Sequence, residues 1–172
     1  MLEKNNTDKL LELFFDSPRR EFHIRELSRI AKISAPTILL AVEALEKRGF
    51  LTTHKKGNLK IVKASSTIAF YRSKRVRNME KIYESGLMDY LINEYESPKA
   101  IILFGSFSRG DDIETSDVDM AVLTTIHKEL DLKSFEKNLA RKISVHEMDI
   151  KKVSKEFYNN LINGILMEGA IT

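Results

Sequence analysis

Between Lys99 and Leu123 the chain reads KAIILFGSFSRGDDIETSDVDMAVL, and this stretch restricts the fold more than any other. The apolar run Ala100 to Phe104 predicts a short buried strand that breaks at Gly105-Ser106. After ten intervening residues a second strand opens with Asp117-Val118-Asp119. Strand side chains alternate between faces, so Asp117 and Asp119 share one side while Val118, Met120 and Val122 take the other. Two carboxylates so close repel, and one would tend to hold a proton unless a hard divalent cation such as magnesium neutralises them. Gly105 lets the backbone approach a bulky anion or take a dihedral that other residues avoid, and Ser106 adds a hydroxyl and an N–H where a helical turn begins. The stretch therefore predicts a phosphate cradle facing a metal platform.

Gly-Ser, ten residues, then Asp-x-Asp, with Arg109-Gly110 inside the loop, resembles the signature of the nucleotidyltransferase superfamily related to DNA polymerase beta. More narrowly it resembles the small minimal nucleotidyltransferases, over roughly residues 85 to 172. The resemblance implies transfer of a nucleoside monophosphate, AMP from ATP or the equivalent from another nucleoside triphosphate, to a hydroxyl acceptor. It implies catalytic and metal-binding roles for Asp117 and Asp119, two Mg2+ ions, and nucleotide contacts from Gly105 and Ser106. Arg109, one turn beyond Ser106, either reaches the triphosphate or pairs with the acids of its own loop. The superfamily also places a third carboxylate on a neighbouring strand, here within ISVHEMDI. Glu147 and Asp149 share one face of that strand, and Ser144 and His146 the other. Glu147 is the choice for the third ligand, because Asp149 abuts the loop to Lys151-Lys152.

Charge divides the chain. Residues 1 to 75 carry 16 Lys+Arg against 8 Asp+Glu, whereas residues 76 to 172 carry 12 against 17. A polyanion-binding module joined to a cation-binding one fits this asymmetry. In the basic half, helices are predicted over Asp8 to Phe15, Ile24 to Ala31 and from Ser34, an N-cap with Pro36 in the first turn, to about Arg48. Phe50 to Thr53 and Leu59 to Val62 bracket the basic tip His54-Lys55-Lys56-Gly57-Asn58, a β-hairpin. This order, and the phrase ALEKRGFLTTHKKGNLKIVKAS, resembles the winged helix-turn-helix domain of prokaryotic regulators.

By that resemblance the module binds double-stranded DNA. The third helix would present Ser34, Ala35 and Thr37 to the major groove, Arg25 (with Arg19 and Arg20) would contact the backbone, and the wing residues Lys55 and Lys56 would hold phosphates. His54 reads as wing surface at the hairpin end, and no His/Asp/Glu grouping around His23 has metal-ligand spacing. The expected organisation is α+β. It has a winged helix-turn-helix over residues 1–65, a connecting helix over 66–84 and a small mixed-sheet nucleotidyltransferase domain with flanking helices over 85–172. Within this frame Thr67 to Tyr83 reads as an amphipathic helix with Arg72, Lys74, Arg75 and Arg77 on a solvated face. Helices are also expected over Leu130 to Ile143 and Ser154 to Met167.

The absence of cysteine excludes disulfides and thiolate zinc sites and fits a cytoplasmic protein. The sequence predicts no membrane partner, since no apolar run approaches a membrane span and the start MLEKNNTDKL lacks the order of a signal peptide. Resemblance further suggests a HEPN-type toxin as the partner whose tyrosine accepts AMP, and a homodimer by analogy with winged-helix regulators. The competing expectation is a DNA-binding regulator whose nucleotidyltransferase domain is inactive and only senses nucleotide or holds a partner.

Overall fold

The computed structural model describes residues 6–171; the first residues of the segment read for a signal peptide lie outside them. The chain divides into two compact units, one up to Ser73 and one from Lys74 onward.

The first unit starts with α1 (Asn6–Asp16), which buries Leu10, Leu11, Phe14 and Phe15, the periodic apolar positions of the sequence. A two-residue strand that periodicity does not reveal, β1 (Phe22–His23), precedes α2 (Ile24–Ala31). His23 is that helix's N-cap, its Nδ1 accepting from the Glu26 amide at 3.2 Å, which accounts for the histidine without a ligand. Ser34 caps α3 (Ala35–Lys47) as expected, with proline in the first turn. β2 (Leu51–Lys56) and β3 (Leu59–Ala64) form the hairpin, and the antiparallel sheet order is β1-β3-β2. Glu46 of α3 accepts from both the amide and the hydroxyl of Thr53 at 3.1 and 2.8 Å, which ties α3 to the first wing strand. Helix, short strand, two helices and a hairpin returning to that strand constitute a winged helix. Its core joins Phe14, Phe22, Leu27, Val42, Leu45, Val62 and Phe70, all buried, each contributing about 1.5–3 kcal/mol of apolar burial.

Helix α4 (Ile68–Glu84) contains the boundary between the units. Arg72 and Arg75 lie on the expected solvated face, but other positions of the helix depart from it. Ile68 and Val76 are 66% and 56% exposed, whereas Lys74 and Asn78 are buried at 1% and 2%.

In the second unit α5 (Leu87–Glu94) leads to β4 (Ala100–Phe104), buried at every position. Then come α6 (Gly105–Arg109), β5 (Val118–Leu123), α7 (Lys133–Leu139), β6 (Ile143–Met148), a single 3-10 turn at Ile150–Lys152, α8 (Lys155–Ile162) and β7 (Ile165–Gly169). The sheet order is β6-β5-β4-β7; β4 runs antiparallel to β5 and β7, and β5 parallel to β6. One face carries Ile101, Leu103, Val118, Met120 and Val122 with Leu87, Leu91 and Leu139. The other carries Ala100, Ile102, Phe104, Ala121 and Leu123 with Leu161.

Two expected helices are shorter than their apolar patterns. α7 stops where Ala140 turns left-handed at φ 51°. The last helix ends at Ile162, and Ile165–Gly169 is instead the edge strand against β4. Gly164 makes this possible, since a Cβ there would crowd the Leu103 carbonyl and Ile102. The run Ile165-Leu166-Met167 continues a helical pattern and an alternating one equally well, and only pairing with β4 decides.

Candidate functional site

The buried strand β4 delivers the chain to Gly105, whose φ of +70° lies in the left-handed region. The left-handed backbone favours glycine, and a Cβ at this position would in addition push the carboxylate of Asp119 aside. The short α6 follows. Inside it the Ser108 hydroxyl donates to the Gly105 carbonyl at 2.8 Å, and Gly110 ends it at φ +80°. Ser106 is half-buried on the same turn. Of the two roles open to Arg109, the structure has it paired with its own loop: Nε meets Asp111 Oδ2 at 3.2 Å, with both side chains largely exposed.

Antiparallel register sets Asp119 opposite Phe104, beside the cradle, while Asp117 is exposed just before β5. Burial raises the pKa of Asp119; His146 and Arg109 oppose the rise and the neighbouring Asp117 charge adds to it. Among the described residues no hydrogen bond or ion pair reaches the Asp119 carboxylate. A half-buried acid next to a second acid, without donors, suits a hard cation.

Glu147 is a correction. The parallel register of β5 and β6 pairs Asp119 with Ser144, Ala121 with His146 and Val122 with Glu147. Paired residues in a parallel sheet point the same way, so Ser144 and His146 share the Asp119 face and Glu147 lies on the opposite one. There its carboxylate accepts from the Tyr95 hydroxyl at 2.5 Å and the Lys128 amide at 2.7 Å, and meets His127 Nδ1 at 2.7 Å. Burial would raise its pKa, but these three partners more than offset it and the net shift is downward. Alternation along the strand gives which residues share a face; register alone gives which face meets Asp119. Asp149 follows the end of β6.

Among the described residues no group of three or more His, Asp or Glu side chains is gathered to hold a metal ion. Asp117 and Asp119 are the residues that would hold a divalent cation such as Mg2+, an ion that needs only one or two protein carboxylates. Among the described residues no third carboxylate is gathered with this pair for a second ion.

In the winged-helix unit, Ser34, Ala35 and Thr37 all lie at the start of α3. The two hydroxyls are engaged with each other at 2.7 Å, and Ser34 also caps the Thr37 amide at 3.4 Å. Arg25 is exposed on α2, whereas Arg20 is held by Glu26 at 2.5 Å and stacks over Phe22. Lys55 and Lys56 are exposed at the wing tip, next to the turn at Gly57. The exposed side of α3 also carries Leu39 and Leu40, 36% and 69% exposed, features that no groove contact requires.

The family described as "Polymerase beta, Nucleotidyltransferase" matches residues 87–171, a span that holds the whole four-stranded sheet with Gly105, Asp117 and Asp119. That match supports a nucleotidyltransferase-type function for the second unit. Among solved structures, "Reduced HlyU from Vibrio cholerae N16961" is similar at 19% identity, covering 42% of this chain and 73% of that one, with a TM-score of 0.36. No curated protein matches.

Proposed function

We propose that the second unit is a metal-dependent nucleotidyltransferase that moves a nucleoside monophosphate, AMP from ATP, onto a hydroxyl. The observation that carries this reading is Gly105, left-handed and so placed that a Cβ there would run into the donor-free carboxylate of Asp119, at the end of a buried strand. In this reading the Gly105-Ser106 turn receives the triphosphate, and Asp117 and Asp119 hold the ion that accompanies it. Bound there, magnesium supplies charge neutralisation to the phosphate oxygens. The protein contributes position: β4 and β5 fix the turn and the acid pair against each other, so an acceptor oxygen can approach the α-phosphorus in line. Its bond to that phosphorus forms as the bond to the bridging oxygen breaks, the acceptor proton is lost and pyrophosphate departs. A tyrosine of a HEPN-type partner is the acceptor suggested by the resemblance to minimal nucleotidyltransferases. The winged helix, with Lys55, Lys56 and Arg25 exposed, would bind operator DNA, with dimerisation matching a two-fold site.

A second reading is favoured by one observation, the lack of a carboxylate on β6 facing Asp119. It makes the unit a nucleotide sensor attached to a DNA-binding module. Labelled ATP with magnesium, with and without the product of the neighbouring gene, separates the two. Label on a protein with pyrophosphate release supports transfer, and tight binding without release supports sensing.

A further inference from the structure

Helix α4 lies outside the span matched by the nucleotidyltransferase family, yet two of its side chains enter the cradle loop. Asn78 Nδ2 donates to the Phe107 carbonyl at 2.9 Å and to Asp112 Oδ1 at 2.8 Å. Lys74 Nζ donates to the Asp112 carbonyl and forms an ion pair with Oδ2 of the same residue at 3.0 Å. The lysine and aspartate side chains are each 1% exposed. These contacts grip α6 near its middle and the loop five residues further on, bracketing the segment that contains Arg109.

A buried ion pair is a poor source of stability, because desolvation of the two charges offsets most of their attraction. Burial does lower the pKa of Lys74, and Asp112 only partly restores it, with Arg141 and Glu114 the other charges felt there. An apolar pair of similar volume would serve the core as well. What the polar set adds is direction, since each hydrogen bond fixes one backbone carbonyl or one carboxylate oxygen of the loop. The glycine turn and Asp117 stand at the two ends of that loop, so its shape sets their separation.

We propose that Lys74, Asn78 and Asp112 form a positioning clamp that holds the cradle loop in its nucleotide-binding shape, which makes α4 a working part of the nucleotide site. The proposal rests on the nucleotide reading above. The clamp residues act through the loop and do not touch the nucleotide.

The test uses the full chain carrying Lys74→Met with Asp112→Leu, an apolar replacement of both charges, and separately Asn78→Ala, which strands no charge. The double variant should keep the wild-type urea midpoint while amides between residues 105 and 117 exchange hydrogen at least about tenfold faster and Mg–ATP binds at least about tenfold more weakly. Asn78→Ala should move exchange and affinity the same way by a smaller factor, and it decides the matter if the double variant does not fold. Exchange and affinity both within twofold of wild type would overturn the clamp, as would faster exchange with unchanged affinity. Absence of Mg–ATP binding in the wild-type protein would instead overturn the nucleotide reading, and loop exchange alone would then decide whether α4 sets the loop.

Discussion

Asp119 and Glu147 occupy adjacent strands of one sheet, the first in the Asp-x-Asp motif and the second at the position expected for a third carboxylate. Their surroundings are opposite. Glu147 has three partners and a lowered pKa, so its charge is already satisfied by Tyr95, Lys128 and His127. Asp119 has a raised pKa, a neighbouring acid and no donor among the described residues. A satisfied carboxylate stabilises the fold it sits in. A carboxylate held half-buried without a hydrogen-bond donor costs stability and is retained where something outside the chain completes it.

The comparison breaks most sharply under substitution. Asp119→Asn should lower transfer by roughly a hundredfold or more, with the thermal midpoint unchanged or higher; Glu147→Gln should leave transfer within about twofold. Label transfer from ATP measured beside a melting curve checks both. Gly105→Ala, which forces a side chain into a left-handed position against Asp119, should cost about 1–3 kcal/mol of stability and remove nucleotide binding, as read by urea denaturation and calorimetry.

The two acids should also respond oppositely to pH. Glu147 has a folded pKa below its unfolded value near 4.5, so it adds stability above that pH and loses it as pH falls through the folded pKa. Asp119 has a folded pKa above its unfolded value near 3.8, so stability falls as pH rises through that interval. Denaturation of Glu147→Gln across pH 3 to 7 should therefore show a shallower acid loss than wild type, about these pKa ranges, whereas Asp119→Asn should show a steeper net gain with rising pH. The smallest effect belongs to the other unit. Lys55→Ala or Lys56→Ala should reduce the slope of log affinity for duplex DNA against log salt by about one each.

Much of this was legible in the sequence where a local rule and the tertiary structure agree. Ser34 with Pro36 announces α3, and the glycine turn between an apolar run and Asp-x-Asp announces β4, α6 and β5. Legibility ended where a nonlocal partner decides. Strand alternation separates Glu147 from His146, but only the pairing of β5 with β6 says which one faces Asp119. The edge strand Ile165–Gly169 depends on β4 in the same way. Lys74 reads as surface among arginines because its acceptor, Asp112, lies 38 residues further along the chain.

Calorimetric titration of Mg–ATP into wild type, Asp119→Asn and Glu147→Gln tests the central claim most directly. Binding by wild type and Glu147→Gln but not by Asp119→Asn is the predicted result; loss in Glu147→Gln with binding retained in Asp119→Asn would place the nucleotide on the other face of the sheet and contradict the account.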